Sequence, residues 1–233
     1  MSEMVYGRNS FDEALRSGRV RKVYLLKDSS YIALCRKKHI PFEICERKTL
    51  DRMSDNKNHQ GVIAETEDYK LFPLEALLKE ENGLIVALDS LKDPQNLGTI
   101  VRTVDVAGAD GIIYKKHNSV KVNATVAKVA SGALEYVKIA EVVNLTAALK
   151  KLKEKGYWIV GAAGEATQSY DSVDYKRNIV LVIGAEGEGI SRLVKEECDY
   201  LVSIPNHGHI DSLNASVAAG VMLFQVLKDR QQG

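Results

Sequence analysis

The most constraining feature of this sequence is the regular alternation of apolar runs and helical patterns that begins after Gly83. Six mainly apolar runs have the length of strands: Leu84–Leu88, Gly111–Tyr114, Tyr136–Ile139, Trp158–Ala162, Ile179–Ile183 and Leu201–Ile204. Helical patterns lie between most of these runs and after the last: Leu97–Ala107, Asn123–Ser131, Leu145–Lys155, Ile190–Glu197 and Ser212–Lys228. Strands that are apolar on both faces are typical of parallel sheets covered by helices. The pattern therefore predicts a doubly wound α/β domain over residues 83–233, with ligands bound beyond the carboxyl ends of its strands.

Residues 1–67 are predicted to form a smaller α/β domain of short elements. The expected helices and strands are Ser10–Ser17, Lys22–Leu26, Ser30–Lys38, Phe42–Cys45 and Gly61–Glu65. Residues 68–82 combine charge, a proline and a short amphipathic piece, which favours a linker between the two domains.

The net charge of +1 conceals an uneven distribution. Residues 1–57 contain thirteen Lys or Arg and eight Asp or Glu, which gives +5, so the rest of the chain carries −4. Basic clusters occur at residues 19–22, 36–38 and 47–48. Such clusters can be no more than a solvated surface; the alternative is that the N-terminal domain meets a polyanion, and we favour nucleic acid.

The composition is that of an ordinary globular protein, with 45% hydrophobic and 27% charged residues. The three cysteines, Cys35, Cys45 and Cys198, are odd in number and lack CxxC spacing, which argues against a disulfide framework and a zinc cage. We expect no signal peptide, because the N-terminus has no apolar core, and no apolar run approaches the roughly 18 residues that cross a bilayer. A reducing cytosol and no membrane association fit these features.

The first predicted strand is followed by a polar segment that leads into a helix. Asn96 is expected to cap that helix, because its side chain can accept from free backbone N–H groups. Arg102 lies roughly 160° from the centre of the apolar stripe of the helix. It is a plain solvated arginine unless another surface, such as RNA or a second subunit, approaches it.

The strand Ile179–Ile183 runs directly into a glycine-rich segment. Its order, GxxGxG, differs from the dinucleotide fingerprint GxGxxG, so we do not expect a dinucleotide site. Glycines at Gly184 and Gly187 would still let the backbone lie against a flat ligand. Glu186 could then reach into a cleft, or it could be an acid on a surface turn.

A third polar segment follows the last predicted strand and admits two interpretations. His207, His209 and Asp211 could bind a metal ion. The alternative is a pocket for a small ligand, which we favour because Gly208 places the two histidines in a turn. We therefore expect no metal.

The final helix is predicted to start at Ser212, with Ser212 or Asp211 as its cap and Asn214 in its first turn. Free N–H groups at such an end suit an oxygen-rich ligand. From Leu213 to Leu227 the helix has almost no polar face, so it needs cover on all sides. A domain of this size cannot cover its last helix completely, so we expect a homodimer through the C-terminal helix.

Together the three segments resemble the three motifs of the SpoU/TrmH family of RNA ribose 2′-O-methyltransferases, within the SPOUT superfamily. The matching residues are Asn96-x-Gly98-x-x-x-Arg102, Gly184-x-Glu186-Gly187-x-Gly189, and Ile204-Pro205 followed by Ser212-Leu213-Asn214-x-Ser216. The N-terminal segments Tyr6-Gly7-Arg8-Asn9, Glu13-Ala14-Leu15 and His59-Gln60-Gly61 resemble the L30e-like substrate-binding domain of the 23S rRNA guanosine 2′-O-methyltransferases. Asn206 and Ala185 depart from the usual methionine and serine of the family.

The resemblance implies a fold and a cofactor that the composition cannot indicate. The fold is a SPOUT domain whose C-terminal segment passes through a loop to form a trefoil knot, an exception to the usual avoidance of knots. The cofactor is S-adenosylmethionine, and the residues that the resemblance assigns to its binding are Gly184, Gly187, Ile204, Pro205 and Leu213. Those that it places around the reacting hydroxyl are Asn96, Arg102, Glu186, Ser212 and Asn214. In the N-terminal domain, the expected RNA contacts are Arg8, Lys22, His59 and Gln60.

The implied reaction is an in-line attack of a ribose 2′-hydroxyl on the sulfonium methyl group, for which the protein aligns the oxygen and assists proton loss. Arg102 is unsuited to act as the base, because a guanidinium almost never deprotonates in proteins. A planar fork that binds phosphate and stabilises the developing oxyanion is the better role. The proton would pass to solvent, phosphate or Glu186. In a dimer, Arg102 could come from the partner subunit.

Three functions remain open at this stage. The first is methylation of a ribose in large-subunit rRNA, with a guanosine as the favoured target. The second is the same chemistry on tRNA, or on rRNA in antibiotic resistance. The third is a non-catalytic RNA-binding or ribosome-assembly protein, against which the intact polar residues count.

Overall fold

The chain forms two compact units, Met1–Lys70 and Leu71–Gly233, in a computed structural model that describes residues 2–56, 58–208 and 212–231. A 3₁₀ helix, Leu74–Leu77, lies within the range 68–82 that the sequence suggests as a linker. Leu77 is buried in the core of the second unit. The domain limits 1–67 and 83–233 stay a prediction.

The first unit is a four-stranded mixed sheet with three short helices. Its elements are β1 (Ser2–Tyr6), α1 (Arg8–Arg16), β2 (Val20–Leu25), α2 (Tyr31–Lys37), β3 (Phe42–Ile44), α3 (Arg47–Met53) and β4 (Val62–Glu67). The strand order is β1-β4-β2-β3, with β4 antiparallel to both of its neighbours. Phe11 of α1 and Cys35 of α2 pack on Val23 and Leu25 of β2 in a small core. Strand β1 was not predicted from the sequence.

The second unit is a seven-stranded sheet in which every described pairing is parallel. Its elements are β5 (Leu84–Asp89), α4 (Pro94–Val106), β6 (Gly111–Lys115), α5 (Ala124–Ala130), β7 (Lys138–Val142), α6 (Leu145–Glu154), β8 (Trp158–Ala162), β9 (Gln168–Ser169), β10 (Ile179–Gly184), α7 (Arg192–Lys195), β11 (Tyr200–Ser203) and α8 (Ala215–Gln231). The strand order is β7-β6-β5-β10-β8-β11-β9. Strands β5 and β10 lie side by side, with Asp89 opposite Gly184.

The sheet has a separate apolar core on each face. On β5, Leu84, Val86 and Leu88 pack toward α4, α5 and α8. The alternate residues Ile85 and Ala87 pack toward α6 and α7. This side-chain alternation explains why the strand sequences are apolar throughout, and it confirms the predicted α/β class with helices on both faces.

Several predicted boundaries are wrong in detail. Strand β7 begins at Lys138 rather than Tyr136, because Ala133–Glu135 forms a 3₁₀ helix that leaves Tyr136 exposed. Helix α7 has only four residues, Arg192–Lys195, instead of the eight predicted at 190–197. Strand β9 has two residues and gives no recognisable sequence signal.

Three further expectations concern the cysteines, membrane-spanning helices and the knot. The three cysteines are free thiols. Within the described ranges, no helix is both long enough and apolar enough to cross a membrane. The threaded C-terminal segment of a trefoil knot stays a prediction.

Candidate active site

Three side chains from three strand-end segments meet at the carboxyl edge of the large sheet. We call Asn96, Glu186 and Asn214 the polar trio. Asn96 Nδ2 donates to Glu186 Oε1 at 3.0 Å, and Asn214 Nδ2 donates to Asn96 Oδ1 at 2.9 Å. Asn214 Nδ2 also donates to Glu186 Oε1. The structure thus joins one residue from each of the three sequence motifs.

Asn214 is oriented by the helix that it caps. Its Oδ1 accepts from the backbone N–H groups of Ser216 at 2.9 Å and Val217 at 3.3 Å, and from the Ser216 hydroxyl at 2.6 Å. Because this end of the amide satisfies the helix N-terminus, Nδ2 must point toward Asn96 and Glu186. Ser212, one of the two predicted caps of this helix, is therefore not the cap. The other, Asp211, lies outside the described residues.

Asn96 is not the helix cap that the sequence suggested. Helix α4 begins at Pro94, and the carboxylate of Asp93 accepts from Gln95 N at 3.0 Å. A proline at the first helical position costs no hydrogen bond, since that N–H has no helical partner. Asn96 lies in the first turn with only 5% of its surface exposed, and its amide is free to serve the polar trio.

The loop that carries Glu186 is a tight backbone structure. Ala185 and Gly189 exchange backbone hydrogen bonds of 3.1 and 2.8 Å. A Cβ on Gly184 would lie only 2.2 Å from Gly189 C, so any larger residue would force this loop open. Gly187 and Gly189 have φ values of +76° and +66°, which residues with a side chain rarely adopt. The glycine pattern therefore serves the loop geometry that presents Glu186.

A buried ion pair supports the same loop, and sequence reasoning missed it. Asp89, fully buried at the end of β5, binds Lys115 Nζ at 2.7 Å and accepts from Ser191 N at 2.7 Å. Burial alone would raise the pKa of the Asp89 carboxyl, but the hydrogen bonds from Lys115 and Ser191 outweigh it and hold that pKa below its ordinary value. Asp89 and Lys115 end separate strands, so no local spacing pairs them.

Gly98 has a packing role. A Cβ at this position would lie 2.6 Å from Val129 Cβ and 2.8 Å from Val126 O. Glycine therefore allows α4 and α5 to approach closely, two residues after Asn96.

Arg102 and Ser212 do not join the polar trio in a single chain. Both are exposed, and neither side chain makes a hydrogen bond or an ion pair with another residue of the described ranges. Arg102 lies on the outer face of α4, as its helical phase predicted. Its exposed neighbour one turn later, Val106, is apolar.

The residues predicted to bind the cofactor flank the polar trio on the β10 and β11 side. Gly184 ends β10, and Ile204 and Pro205 follow β11. Ile204 is half-buried against the core, whereas Leu213 exposes 47% of its surface. Apolar side chains beside glycine backbone fit a flat purine, so the residues present are compatible with the adenosyl part of S-adenosylmethionine.

The alternative metal site lies partly outside the described residues, since His209 and Asp211 are not among them. His207 is exposed on the loop after β11. Among the described residues, no group of three or more His, Cys, Asp or Glu side chains is arranged to hold a metal ion.

In the first unit, two of the motif segments meet at one turn. Gly7 N donates to Val62 O at 3.1 Å, and Arg8 N donates to Gln60 Oε1 at 3.0 Å. The side chains of Arg8 and Gln60 are exposed, as an RNA contact requires.

His59 is buried, unlike a direct RNA contact, whereas the prediction for Lys22 stays open. His59 is 3% exposed; its Nε2 lies 2.9 Å from Asp51 Oδ1, and its Nδ1 accepts from Gly61 N. Both ring nitrogens are therefore used to shape the turn, and the ring itself is withdrawn from solvent. Lys22 lies within β2 and binds Glu43 at 2.9 Å.

Comparison with known families decides the classification. A model of the SpoU rRNA methylase family matches residues 83–224, and a model of the RNA 2′-O ribose methyltransferase substrate-binding domain matches residues 4–72. The chain belongs to the SpoU methylase family. The segments that carry the three SpoU motifs are those that assemble the polar trio.

Individual relatives of this SpoU protein match along nearly its whole length. The 23S rRNA (guanosine-2′-O-)-methyltransferase RlmB of Pseudomonas aeruginosa is 40% identical, over 98% of this chain and 97% of the relative. The AdoMet-bound rRNA methyltransferase of Sinorhizobium meliloti has a TM-score of 0.74 at 28% identity, covering 97% of this chain and 87% of that structure. The TrmH/SpoU tRNA modifying enzyme of A. aeolicus has a TM-score of 0.60 at 32% identity. The match covers 68% of this chain and 81% of the chain in that structure.

Proposed function

We propose that this SpoU protein transfers a methyl group from S-adenosylmethionine to the ribose 2′-hydroxyl of a guanosine in 23S rRNA. The observation that carries the proposal is the polar trio, assembled from three motifs in a chain that resembles RlmB from end to end. A non-catalytic RNA-binding protein would not need a buried asparagine aligned on a carboxylate. We further propose a cytoplasmic location, where the rRNA of the bacterial relatives is made.

The reaction requires the protein to align an oxygen and accept a proton. S-adenosylmethionine, when bound, supplies a methyl group that is already attached to a good leaving group. Glu186 Oε1 takes both amide donors of the polar trio, and Oε2 has no hydrogen-bond partner in the described part of the chain. We assign Oε2 to the 2′-hydroxyl, whose proton passes to this carboxylate or to solvent as the new O–C bond forms.

Arg102 is assigned to the phosphate next to the reacting ribose and to the developing oxyanion. Its exposed position on α4 leaves it far from its own core, so we propose that it acts across a homodimer. The apolar surface beside it supports this arrangement. Val106 on α4 and Val217 and Phe224 on α8 are each at least half exposed, and α4 packs against α8 near Thr103 and Gly220.

The spacing of these residues defines one continuous face. Arg102 and Val106 are one turn apart on α4, and Val217 and Phe224 are seven residues, or two turns, apart on α8. An apolar face of this kind on a single chain is typical of a protein interface. Homodimerisation through α8 would cover it and would bring Arg102 of the partner subunit to the polar trio.

The N-terminal unit is proposed to hold the RNA. The exposed turn formed by Arg8 and Gln60 presents a cation and an amide, and the basic clusters of the same unit supply sequence-independent attraction to phosphate. We assign His59 to support of this turn rather than to direct contact with RNA.

The decisive experiment compares two substrates. The protein is incubated with tritiated S-adenosylmethionine and either in vitro transcribed 23S rRNA or bulk tRNA, and the 2′-O-methylated nucleotides are mapped. We expect one guanosine of 23S rRNA to be methylated and Glu186→Gln to remove the activity, whereas Glu196→Gln on the surface of the same unit should not. Methylation of tRNA alone would contradict the rRNA assignment and favour the activity named for the A. aeolicus structure. RNA binding without any transfer would favour the non-catalytic alternative.

A further inference from the structure

A cleft of about 500 Å³ opens at the carboxyl edge of the large sheet. Its lining comes from the loops after β5, β6 and β10: Ser90, Lys92, Asn118, Ser119, Val120 and Glu188. This volume lies within the roughly 300–1,000 Å³ of pockets that bind small molecules. Two of the three loops also lead to Asn96 and Glu186, so the cleft and the polar trio share their supports.

This cleft and the residues assigned to the cofactor share the β10 loop but extend from it in opposite directions along the sheet. Asn96 and Glu186 follow β5 and β10, neighbours in the middle of the sheet, and Asn214 follows β11. The proposed cofactor residues Gly184 and Gly187 lie at the end of β10 and in its loop, and Ile204, Pro205 and Leu213 follow β11, whereas the cleft extends toward β6. A ribose at the polar trio would therefore have the methyl donor on one side and this cleft on the other.

The inner wall of the cleft is held rigidly. Ser90 Oγ accepts from Lys115 Nζ at 2.7 Å, which ties it to the buried ion pair. Leu91 O accepts from Val120 N at 2.7 Å and from Ser119 Oγ at 3.2 Å, which links the first two loops. A wall fixed in this way loses little conformational freedom when a ligand binds.

The rim of the cleft carries one cation and one anion that bind each other only weakly. Lys92 Nζ and Glu188 Oε1 are 3.9 Å apart, and their side chains are 70% and 71% exposed. An exposed pair at this distance contributes little to stability, so either group can change partner at low cost. Glu188 beside Lys92 also disfavours a phosphate, which rules the cleft out as a simple anion site.

We propose that this cleft receives the base of the target guanosine, with Glu188 and Lys92 reading its Watson–Crick edge. Guanine presents two adjacent donors, N1–H and the 2-amino group, next to the acceptor O6. A carboxylate accepts from both donors and an ammonium donates to O6, whereas adenine offers one donor and no acceptor at the position of O6. An unpaired base turned out of its strand exposes this edge to protein. The inference rests on the proposed function, and it assigns base selection to Lys92, before the first motif, and to Glu188, an unspecified position within the second.

The test uses a short RNA that contains the guanosine mapped in the 23S rRNA experiment, and the same RNA with inosine or adenosine at that position. Inosine lacks only the 2-amino group. For the wild-type protein, we expect kcat/KM to fall about 10-fold or more on inosine and further on adenosine. Glu188→Ala should lower kcat/KM on guanosine about 10- to 100-fold and should no longer distinguish guanosine from inosine. The kcat/KM of Glu188→Gln on guanosine should lie between those of the wild type and Glu188→Ala. Lys92→Ala should lower kcat/KM on both guanosine and inosine.

Two controls keep the outcomes distinct. Lys116→Ala removes an exposed cation from the same β6–α5 loop without touching the cleft and should behave as wild type. Binding of S-adenosylmethionine, measured by calorimetry, should be unchanged in every variant, and its loss in Glu188→Ala would assign the cleft to the cofactor and overturn the inference. If Glu188→Ala keeps the wild-type kcat/KM on guanosine and the wild-type preference for guanosine over inosine, the inference is overturned while the proposed function stays intact. Failure of the wild-type protein on every 23S rRNA guanosine would instead remove the proposed function itself.

Discussion

At the scale of single residues, Asp89 connects loops that are far apart in the sequence. It lies at the end of β5, pairs with Lys115 at the end of β6, and holds the backbone of Ser191 beyond the Glu186 loop. A buried carboxylate is stable only when its charge is compensated, because the desolvation it suffers is large. The hydrogen bond from Ser191 N to Asp89 therefore links the two loops that carry Asn96 and Glu186, and the ion pair with Lys115 compensates the charge of this carboxylate.

We predict that Asp89→Asn lowers the free energy of unfolding by roughly 3–5 kcal/mol, because it leaves the Lys115 ammonium without its buried counter-ion. Urea denaturation at pH 7 measures this, and Asp105→Asn, an exposed change on α4, is the control.

Because the pKa of Asp89 is held below its ordinary value, the carboxyl stabilises the fold at pH values above that ordinary value, and the contribution is lost as the pH falls through the lowered pKa. The difference between wild type and variant should thus shrink only in acid; a difference that shrinks between pH 6 and 8 would contradict this account.

Arg102 is the second residue whose role can be isolated. We predict that Arg102→Ala abolishes methyl transfer and leaves the affinity for S-adenosylmethionine within a few fold, since the guanidinium is assigned to the RNA. Arg102→Lys should remain severely impaired, because an ammonium lacks the planar fork. Calorimetry and single-turnover transfer measure the two effects. Wild-type turnover in Arg102→Ala would disprove the assignment.

At the scale of secondary-structure elements, the N-terminus of α8 combines a structural and a functional role in one amide. Asn214 Oδ1 caps the helix, and Asn214 Nδ2 completes the polar trio. A serine at this position can keep the cap, whereas it cannot donate to Asn96 and Glu186 at the same time.

We predict that Asn214→Ser changes the free energy of unfolding by less than about 0.5 kcal/mol and lowers methyl transfer at least 10-fold. Asn214→Ala should lose about 1 kcal/mol of stability as well, because the helix then starts without a cap. Thermal unfolding and transfer assays on the two variants separate the effects. If the serine variant transfers methyl groups at the wild-type rate, the amide has no part in the reaction.

The sequence predicts the elements of the second unit well where the apolar pattern is long. The strands β5, β8 and β10 were predicted within one residue of their observed ends, because most of their side chains are buried, on both faces of the sheet. The sequence also points to Asn96, Glu186 and Asn214, although it takes Asn96 for the cap of α4 and Ser212 or Asp211 for the cap of α8. The cap of α4 was misplaced because Asp93 and Asn96 are both good acceptors, and only the backbone geometry selects between them. The ion pair of Asp89 with Lys115 depends on strand order, which no local pattern contains.

At the scale of the whole molecule, the outer face of α4 and α8 is the proposed dimer surface. We predict that Phe224→Glu converts the proposed homodimer to a monomer, because it places a charge within the apolar face. It should also remove methyl transfer, since Arg102 would no longer reach the polar trio of the other subunit. Val143→Glu, which changes another exposed apolar residue away from this face, should keep both the dimer and the activity. Sedimentation measures the mass, and a Phe224→Glu monomer with full activity would show that a single subunit contains a complete site.

The pairing of β5 with β10 has a consequence for how the protein is made. The first unit closes its sheet when β4, which ends at Glu67, has been synthesised. The centre of the second sheet joins Leu84–Asp89 to Ile179–Gly184, so one edge of β5 waits for a partner about a hundred residues later in translation, although its other edge pairs with the nearby β6. Until then the nascent chain exposes aliphatic segments with open edges, which are prone to aggregate. Long-range parallel pairing of this kind also folds slowly. We therefore expect the open edge of β5 to need shielding, for example by a chaperone, while the chain is being synthesised.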